Sequence, residues 1–399
     1  MTPPNRITPA LWLIPAVYFL FVAGEFAAMT HLALTLTQAG HSALAVGTMG
    51  SALWLGLFSA STQAHTLVVR FGHQRVVVVA TAAATLALAT LALHDHYTGW
   101  LAGVLALGLG GGLVWVAGEA WLAEIAPAAQ RGLYVGLFET SVGLAMVAGP
   151  ALLPLALVLD TSPLYLALVS MVAALLACVA LLWQPAPPAH DEPAITPSER
   201  GVLPLWRRIA LPLVAVAAIG GLMESGVSAM LPSISLRLGF EVQAAAWLGA
   251  VIGAGSALLQ SPFGLLADRV GLRRAMTLAW ALIIAAAGAL WLGAGDPGRV
   301  LWAVGFVLGG VGGAVYTLVV IELGHRLAGS GLVKAMGLLV TGYTGGTAGG
   351  PVLGGWLFDV AGLAGLAAVL LAFSVAGAAL AWRALRRHRP LGDAVRDAV

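Results

Sequence analysis

AAAWLGAVIGAGSALLQSPFGLL (residues 244–266), ADRVGLRR (267–274) and AMTLAWALIIAAAGALWLGA (275–294) lie end to end. The two outer runs carry no charged residue. At a rise of about 1.5 Å per residue, each is long enough to cross a hydrocarbon core about 30 Å thick. The middle segment concentrates Asp268, Arg269, Arg273 and Arg274. It reads as a short basic turn between two antiparallel membrane helices.

The same arrangement recurs along the whole chain. Apolar runs fall at 10–34, 43–65, 76–93, 99–123, 133–159, 164–183, 209–235, 244–266, 275–294, 300–322, 334–358 and 363–385, which predicts twelve transmembrane helices in an all-α membrane protein. The composition agrees: 60% of residues are hydrophobic and 9% charged, against roughly 25% charged in a soluble domain. The runs are continuous and not alternating, which excludes a β-barrel. Membrane helices tolerate the 51 glycines and 20 prolines, because small residues permit close helix packing. The first run lacks a cleavage site and carries Glu25, so it reads as helix 1 and not as a signal peptide. With Cys178 as the one cysteine, neither an intramolecular disulfide nor a thiolate metal cluster is available.

The placement of the 19 Lys and Arg residues orients the chain. Arg237 and Arg299 fall on one side. The remainder fall in the other turns and the tail, including Arg70, Arg75, Arg131, Arg207, Arg269, Arg273, Arg326 and Lys334. By the positive-inside rule both termini are expected in the cytoplasm, with the chain multi-pass in a bacterial inner membrane. The polar, proline-rich stretch at 184–204 suits an extended connector. It divides the chain into an N-terminal six-helix bundle at 1–183 and a C-terminal one at 205–389, with a tail at 390–399. The halves look like diverged copies. Arg70-Phe71-Gly72 matches Arg269-Val270-Gly271, Gly149-Pro150 matches Gly350-Pro351, and Glu25 matches Glu224, at an offset of about 200 residues.

The turn Gly264-Leu265-Leu266-Ala267-Asp268-Arg269-Val270-Gly271-Leu272-Arg273-Arg274 resembles the 2–3 and 8–9 loop motif of the major facilitator superfamily. That resemblance implies two pseudo-symmetric bundles, alternating access, and a cytoplasmic gate at Gly264, Asp268, Arg269, Gly271 and Arg273. In the first-half copy Val69 stands where the aspartate belongs and His65 where the first glycine belongs. Gly118-Glu119-Ala120-Trp121-Leu122 with Arg131-Gly132 and Gly149-Pro150 is similar to a bacterial branch, the YcaD-like proteins. Gly143 through Gly149-Pro150 partly resembles the antiporter motif of facilitator exporters, and a fuller version runs from Gly345 to Gly355. This tilts the expectation toward export.

Ionisable groups cost several kcal/mol in hydrocarbon and face a cavity, a partner or a proton path. Here the mid-span ones are all acidic. The resemblance puts Glu25 (span 1) and Glu224 (span 7) around the central cavity, as substrate- or proton-binding candidates. Glu119 and Glu139 flank the 4–5 turn at similar depths of roughly 12 Å, where they can share a proton or pair through Arg131. Glu124 and Glu322 sit at helix ends and are expected to pair with Arg131, Arg326 or a motif arginine as part of the gate.

No Lys or Arg lies mid-span, which disfavours anionic substrates. Aromatic residues including Phe26, Trp54, Trp115 and Tyr343 offer an apolar, cation-attracting lining. His31, Met29, Met223 and Met230 near the glutamates raise a transition-metal alternative, without a paired-ligand motif and so with no metal site assigned. No nucleophile, base or zinc constellation points to an enzyme. The expectation is a proton-coupled secondary transporter of a small neutral or cationic organic molecule. It would act as a monomer in the lipid bilayer, without a cofactor or a nucleic-acid partner. An importer or a non-transporting sensor are the alternatives.

Overall fold

The computed structural model describes residues 9–94, 96–127, 131–184, 203–327 and 329–386. Most of the expected connector at 184–204 and all of the expected tail at 390–399 lie outside them. Backbone groups in hydrocarbon have no water to bond, so each apolar run closes its hydrogen bonds as a helix. The N-terminal half comprises α1 (Ala10–Gln38), α2 (Ala43–Phe71), α3 (His73–Leu91), α4 (Tyr97–Ile125), α5 (Arg131–Val158) and α6 (Pro163–Leu181). The C-terminal half comprises α7 (Leu203–Gly221), α8 (Leu231–Arg237), α9 (Val242–Val270), α10 (Leu272–Leu292), α11 (Gly298–Arg326) and α12 (Gly329–Arg386).

Two departures from plain helix matter for the site. Between α7 and α8 the seventh span continues through a π-helical turn, Leu222–Val227, and a 3-10 turn, Ser228–Met230. At 58 residues α12 is too long for one crossing, and its backbone leaves helical geometry at Gly362 (φ 63°, ψ −166°). Among the described residues eleven helical stretches are long and apolar enough to span a membrane. Counting the two arms of α12 separately gives the twelve crossings expected from the sequence. Gly271 ends α9 with φ 88°, and Gly72 ends α2 with φ 82°. The short basic turn therefore demands a left-handed residue in both halves.

The halves meet along two seams, α2 against the first arm of α12 and α5 against α9. The Gly-Pro pairs read from the sequence sit in these seams and reach across them. A Cβ at Gly50 would lie 3.3 Å from the Pro351 Cβ, and one at its pseudo-equivalent Gly249 would lie 3.2 Å from the Pro150 Cβ. Farther along the second seam, a Cβ at Gly253 would meet the Met146 carbonyl carbon at 2.5 Å. Backbone cannot move aside as a flexible side chain can. Gly253→Val is therefore expected to cost about 1–3 kcal/mol through overpacking and to lower the thermal midpoint in detergent. Gly288→Ala, where a Cβ meets nothing within 4 Å, should leave the midpoint unchanged or raise it. Equal midpoints for the two variants would show that the seam is loose.

Candidate substrate and proton site

A central cavity of about 120 Å³ opens where the seams converge, walled by α1, α2 and α5 from one half and by the α7–α8 span, α9, α11 and α12 from the other. Phe26, Trp54, Met29, Met49, Met146 and Met230 make most of it apolar. Glu224 is the one charged side chain among the described residues of the wall. The π turn carries it. Such a turn widens the helix by one residue and re-aims the side chains that follow, a feature common at functional sites.

Glu224 is 6% exposed and accepts a hydrogen bond at each carboxyl oxygen. The Gln260 amide on α9 donates to its Oε1 at 2.7 Å, and the Tyr343 hydroxyl on α12 donates to its Oε2. Gln260 also reaches the Ser256 hydroxyl at 2.7 Å, and the Tyr343 ring packs on Tyr316 with centroids 4.7 Å apart. Helix α11 comes close enough that a Cβ at Gly312 would stand 2.5 Å from the Glu224 Cβ. Next to this network Ser228, 1% exposed, lines the cavity with no hydrogen-bond partner for its hydroxyl. The carboxyl can thus take up or release a proton while its two donors hold it in place.

Glu25 is equally buried, at 6% exposed, but it does not line this cavity. Its Oε2 faces α4, where a Cβ at Gly111 would lie 3.4 Å away. The cavity wall in α1 is formed by its neighbours Phe26, Met29 and Thr30. Glu119 is half-buried beside Trp115 in the N-terminal bundle, near Tyr18. The side chains of Glu139 and Arg131 lie outside the described residues, as does any pairing between Glu139 and Glu119. The structure therefore does not bring Glu25 and Glu224 together. Of the aromatics, Phe26 and Trp54 reach the wall, Tyr343 reaches Glu224, and Tyr18, Phe21 and Trp121 are packed inside the N-terminal bundle. His31 contacts Thr35 at 3.5 Å. Among the described residues no group of three or more His, Cys, Asp or Glu side chains is placed to hold a metal.

At the end bearing Arg237, four hydrogen bonds cross between the halves. Asp359 on α12 accepts from the amides of Ala43 (2.9 Å) and Leu44 (2.8 Å), in the first turn of α2. Arg237 donates to the His41 carbonyl at 2.6 Å, and the Thr37 and Ser233 hydroxyls meet at 2.7 Å. At the basic end, among the described residues, no ion pair or hydrogen bond crosses. Asp268 and Arg269 are exposed and Gly264 is half-buried. Arg273 donates to the Leu385 carbonyl at 3.1 Å and Arg326 to the Ala384 carbonyl at 3.0 Å, each within its own bundle. Glu322 pairs with Arg326, and the Glu124 carboxylate lies 3.8 Å from the His73 Nε2. The Asp359 latch was not apparent from the sequence, and neither were the roles of Gln260 and Ser228. A lone amide or carboxylate in or beside an apolar run is the signal that points to such residues.

The matrix of helices and seams has close relatives in shape. The D-xylose-proton symporter superimposes with a TM-score of 0.75 at 15% identity, covering 94% of this chain and 97% of that one. The nucleoside transporter NupG gives 0.71 at 12% identity, covering 96% and 100%. A peptide transporter POT in complex with sulfate gives 0.75 at 13% identity, covering 95% of each. In sequence, the chain is 25% identical over 322 residues to the uncharacterized MFS-type transporter YfkF of Bacillus subtilis (strain 168), covering 79% of this chain and 80% of the relative. The family model of the Major Facilitator Superfamily matches residues 16–256 and 213–398, so the chain belongs to that superfamily and is a multi-pass membrane transporter, not an enzyme.

Proposed function

We propose that this transporter couples proton movement to the export of a small neutral or cationic organic molecule, with Glu224 as the proton- and substrate-binding group. One observation carries the reading: an otherwise apolar cavity between the halves has a single carboxyl on its described wall, and each oxygen of that carboxyl accepts one hydrogen bond from the protein. An anion would meet no positive partner there, whereas a cation gains an ionised carboxylate and the faces of Phe26 and Trp54. A proton and a cation compete for one site. This is the simplest exchange device: release of the proton on one side readies the carboxylate for substrate on the same side.

The basic end is the cytoplasmic end in this reading, in keeping with the positive-inside rule. The cross-half hydrogen bonds then close the outer end, and the chain is poised to take substrate from within. Four methionine thioethers on the wall, Met29, Met49, Met146 and Met230, favour a soft metal cation such as Cu(I) as a second reading.

The test uses purified protein in proteoliposomes under an imposed pH gradient, with thermal-shift screening of cationic, neutral and anionic compounds. Binders should stabilise the protein by mass action. The reading requires cationic or neutral binders whose flux follows the gradient. Stabilisation by anions alone would overturn it. Stabilisation by Cu(I) that is lost when the four methionines become leucine would select the second reading.

A further inference from the structure

Along the outer side of one seam runs a groove of about 740 Å³ between α2 and the first arm of α12. Its rims carry Leu55 (51% exposed) and Trp356 (49% exposed), so in a membrane it opens to the bilayer. It begins near Leu44 and reaches Phe58, a length of about 21 Å along α2. The floor is unusual. Gly345 and Gly349 line it, and a Cβ at either would meet nothing within 4 Å. Other glycines of the same arm, Gly342, Gly346 and Gly350, are pressed against the seventh span. The two floor glycines therefore serve no packing contact here.

Two further observations point to an occupant. Ser51 is 4% exposed, lines the groove, and its hydroxyl has no hydrogen-bond partner. Thr344, 8% exposed, lines the groove from α12. Counting along both helices places these hydroxyls deep in the membrane-crossing part, away from the headgroups of annular lipid. The second observation is broken symmetry. In the α5–α9 seam, Gly143 is in close approach to Ala257. The pseudo-equivalent pair, Thr344 and Phe58, instead lines the groove. Central cavity and groove lie back to back, since Gly50 and Pro351 line the one while their neighbours Ser51 and Val352 line the other.

We propose that this groove is a lateral binding site for a membrane-dissolved amphiphile, with an apolar body along Gly345 and Gly349 and one uncharged hydrogen-bonding group between Ser51 and Thr344. This rests on the transport reading and names its substrate class: single-chain amphiphiles such as long-chain alcohols or unprotonated amines, taken from the bilayer and not from water. A buried unpaired hydroxyl costs free energy, which a ligand hydroxyl or amine recovers on binding.

The experiment uses the full chain in nanodiscs and a diazirine-bearing long-chain alcohol, photolysed with and without excess unlabelled alcohol, with the label mapped by peptide. Saturable labelling of peptides from α2 and α12 is expected. It should fall about tenfold in Gly345→Leu, whose side chain enters open space, and about threefold in Ser51→Ala, a loss of about 0.7 kcal/mol at 1.4 kcal/mol per decade. Labelling that is unsaturable, or equally strong on the lipid-facing sides of α5 and α9, is annular lipid and overturns the proposal. So does labelling unchanged in Gly345→Leu. Failure of the transport reading is separable: Glu224→Gln should leave the labelling intact, so a labelled groove in a protein that moves nothing under a pH gradient would remove the proposed transport function and leave the site standing.

Discussion

Glu224→Gln abolishes gradient-driven flux, with an expected loss of at least about a hundredfold, while exchange of a neutral substrate across the membrane persists. Glutamine keeps the size of the protonated acid and can still accept one hydrogen bond. It cannot become a carboxylate, so the site is fixed in the state that holds a proton. A charged hydrogen bond is worth about 1.5–3 kcal/mol, and losing a cation's carboxylate partner in an apolar cavity forfeits about that much or more, a factor of ten to a hundred in affinity. Flux under a pH gradient and counterflow without one separate the two steps. Loss of both would assign Glu224 to folding or packing. Retention of both would place the coupling proton elsewhere, with Glu25 the next group to test. Tyr343→Phe is expected to fall between wild type and Glu224→Gln, about a tenfold loss in driven flux, because Gln260 still holds one oxygen.

The contrast between Glu25 and Glu224 shows how far the sequence carries. Membrane spans are written in length and polarity, so the crossings are legible, including the break between the last two: the apolar runs part at 358 and 363, and the backbone turns at Gly362. The basic turn with its glycine is equally legible, because only a left-handed residue closes it. Rotation of a helix about its own axis is another matter. A helix that is apolar all round carries no polar stripe to mark its cavity side. The pseudo-symmetry equates Glu25 with Glu224, but α1 continues as regular helix through Glu25, while the seventh span inserts a π turn at Glu224. One acid is thereby aimed into the cavity and the other lies against α4.

The Gly-Pro repeats were also visible, but their meaning lay across the molecule. Each proline meets a glycine of the opposite half, some hundred or more positions away in the chain, and no local pattern encodes that pairing. The same holds for Arg237. In the sequence it is an exception to the charge asymmetry, and in the structure its guanidinium is spent on the His41 carbonyl of the other half.

Asp359→Ala is expected to open the Arg237 end. Asp359 spans the halves with both carboxylate oxygens on the first-turn amides of α2, where a helix N-terminus favours negative charge. The N-cap Ser42 hydroxyl accepts from the Ala45 amide at 3.1 Å, so removing the Asp359 side chain leaves the Ala43 and Leu44 amides to water and uncouples the start of α2 from the first arm of α12. The bond to Leu44 is solvent-exposed, which places the combined effect near about 1.4 kcal/mol, a tenfold change in the ratio of closed to open forms. The readout is a single cysteine at Thr30 on the cavity wall, in a background where the buried Cys178 is replaced by alanine. Its modification by a membrane-impermeant thiol reagent, added from the Arg237 side, should speed up about tenfold in Asp359→Ala. Asp359→Asn, which keeps one acceptor oxygen, should give an intermediate rate. Equal rates in all three proteins would mean that these bonds decorate a closed end held by the glycine-proline seams alone, and Gly50→Ala and Gly249→Ala would then be the variants expected to pry it open.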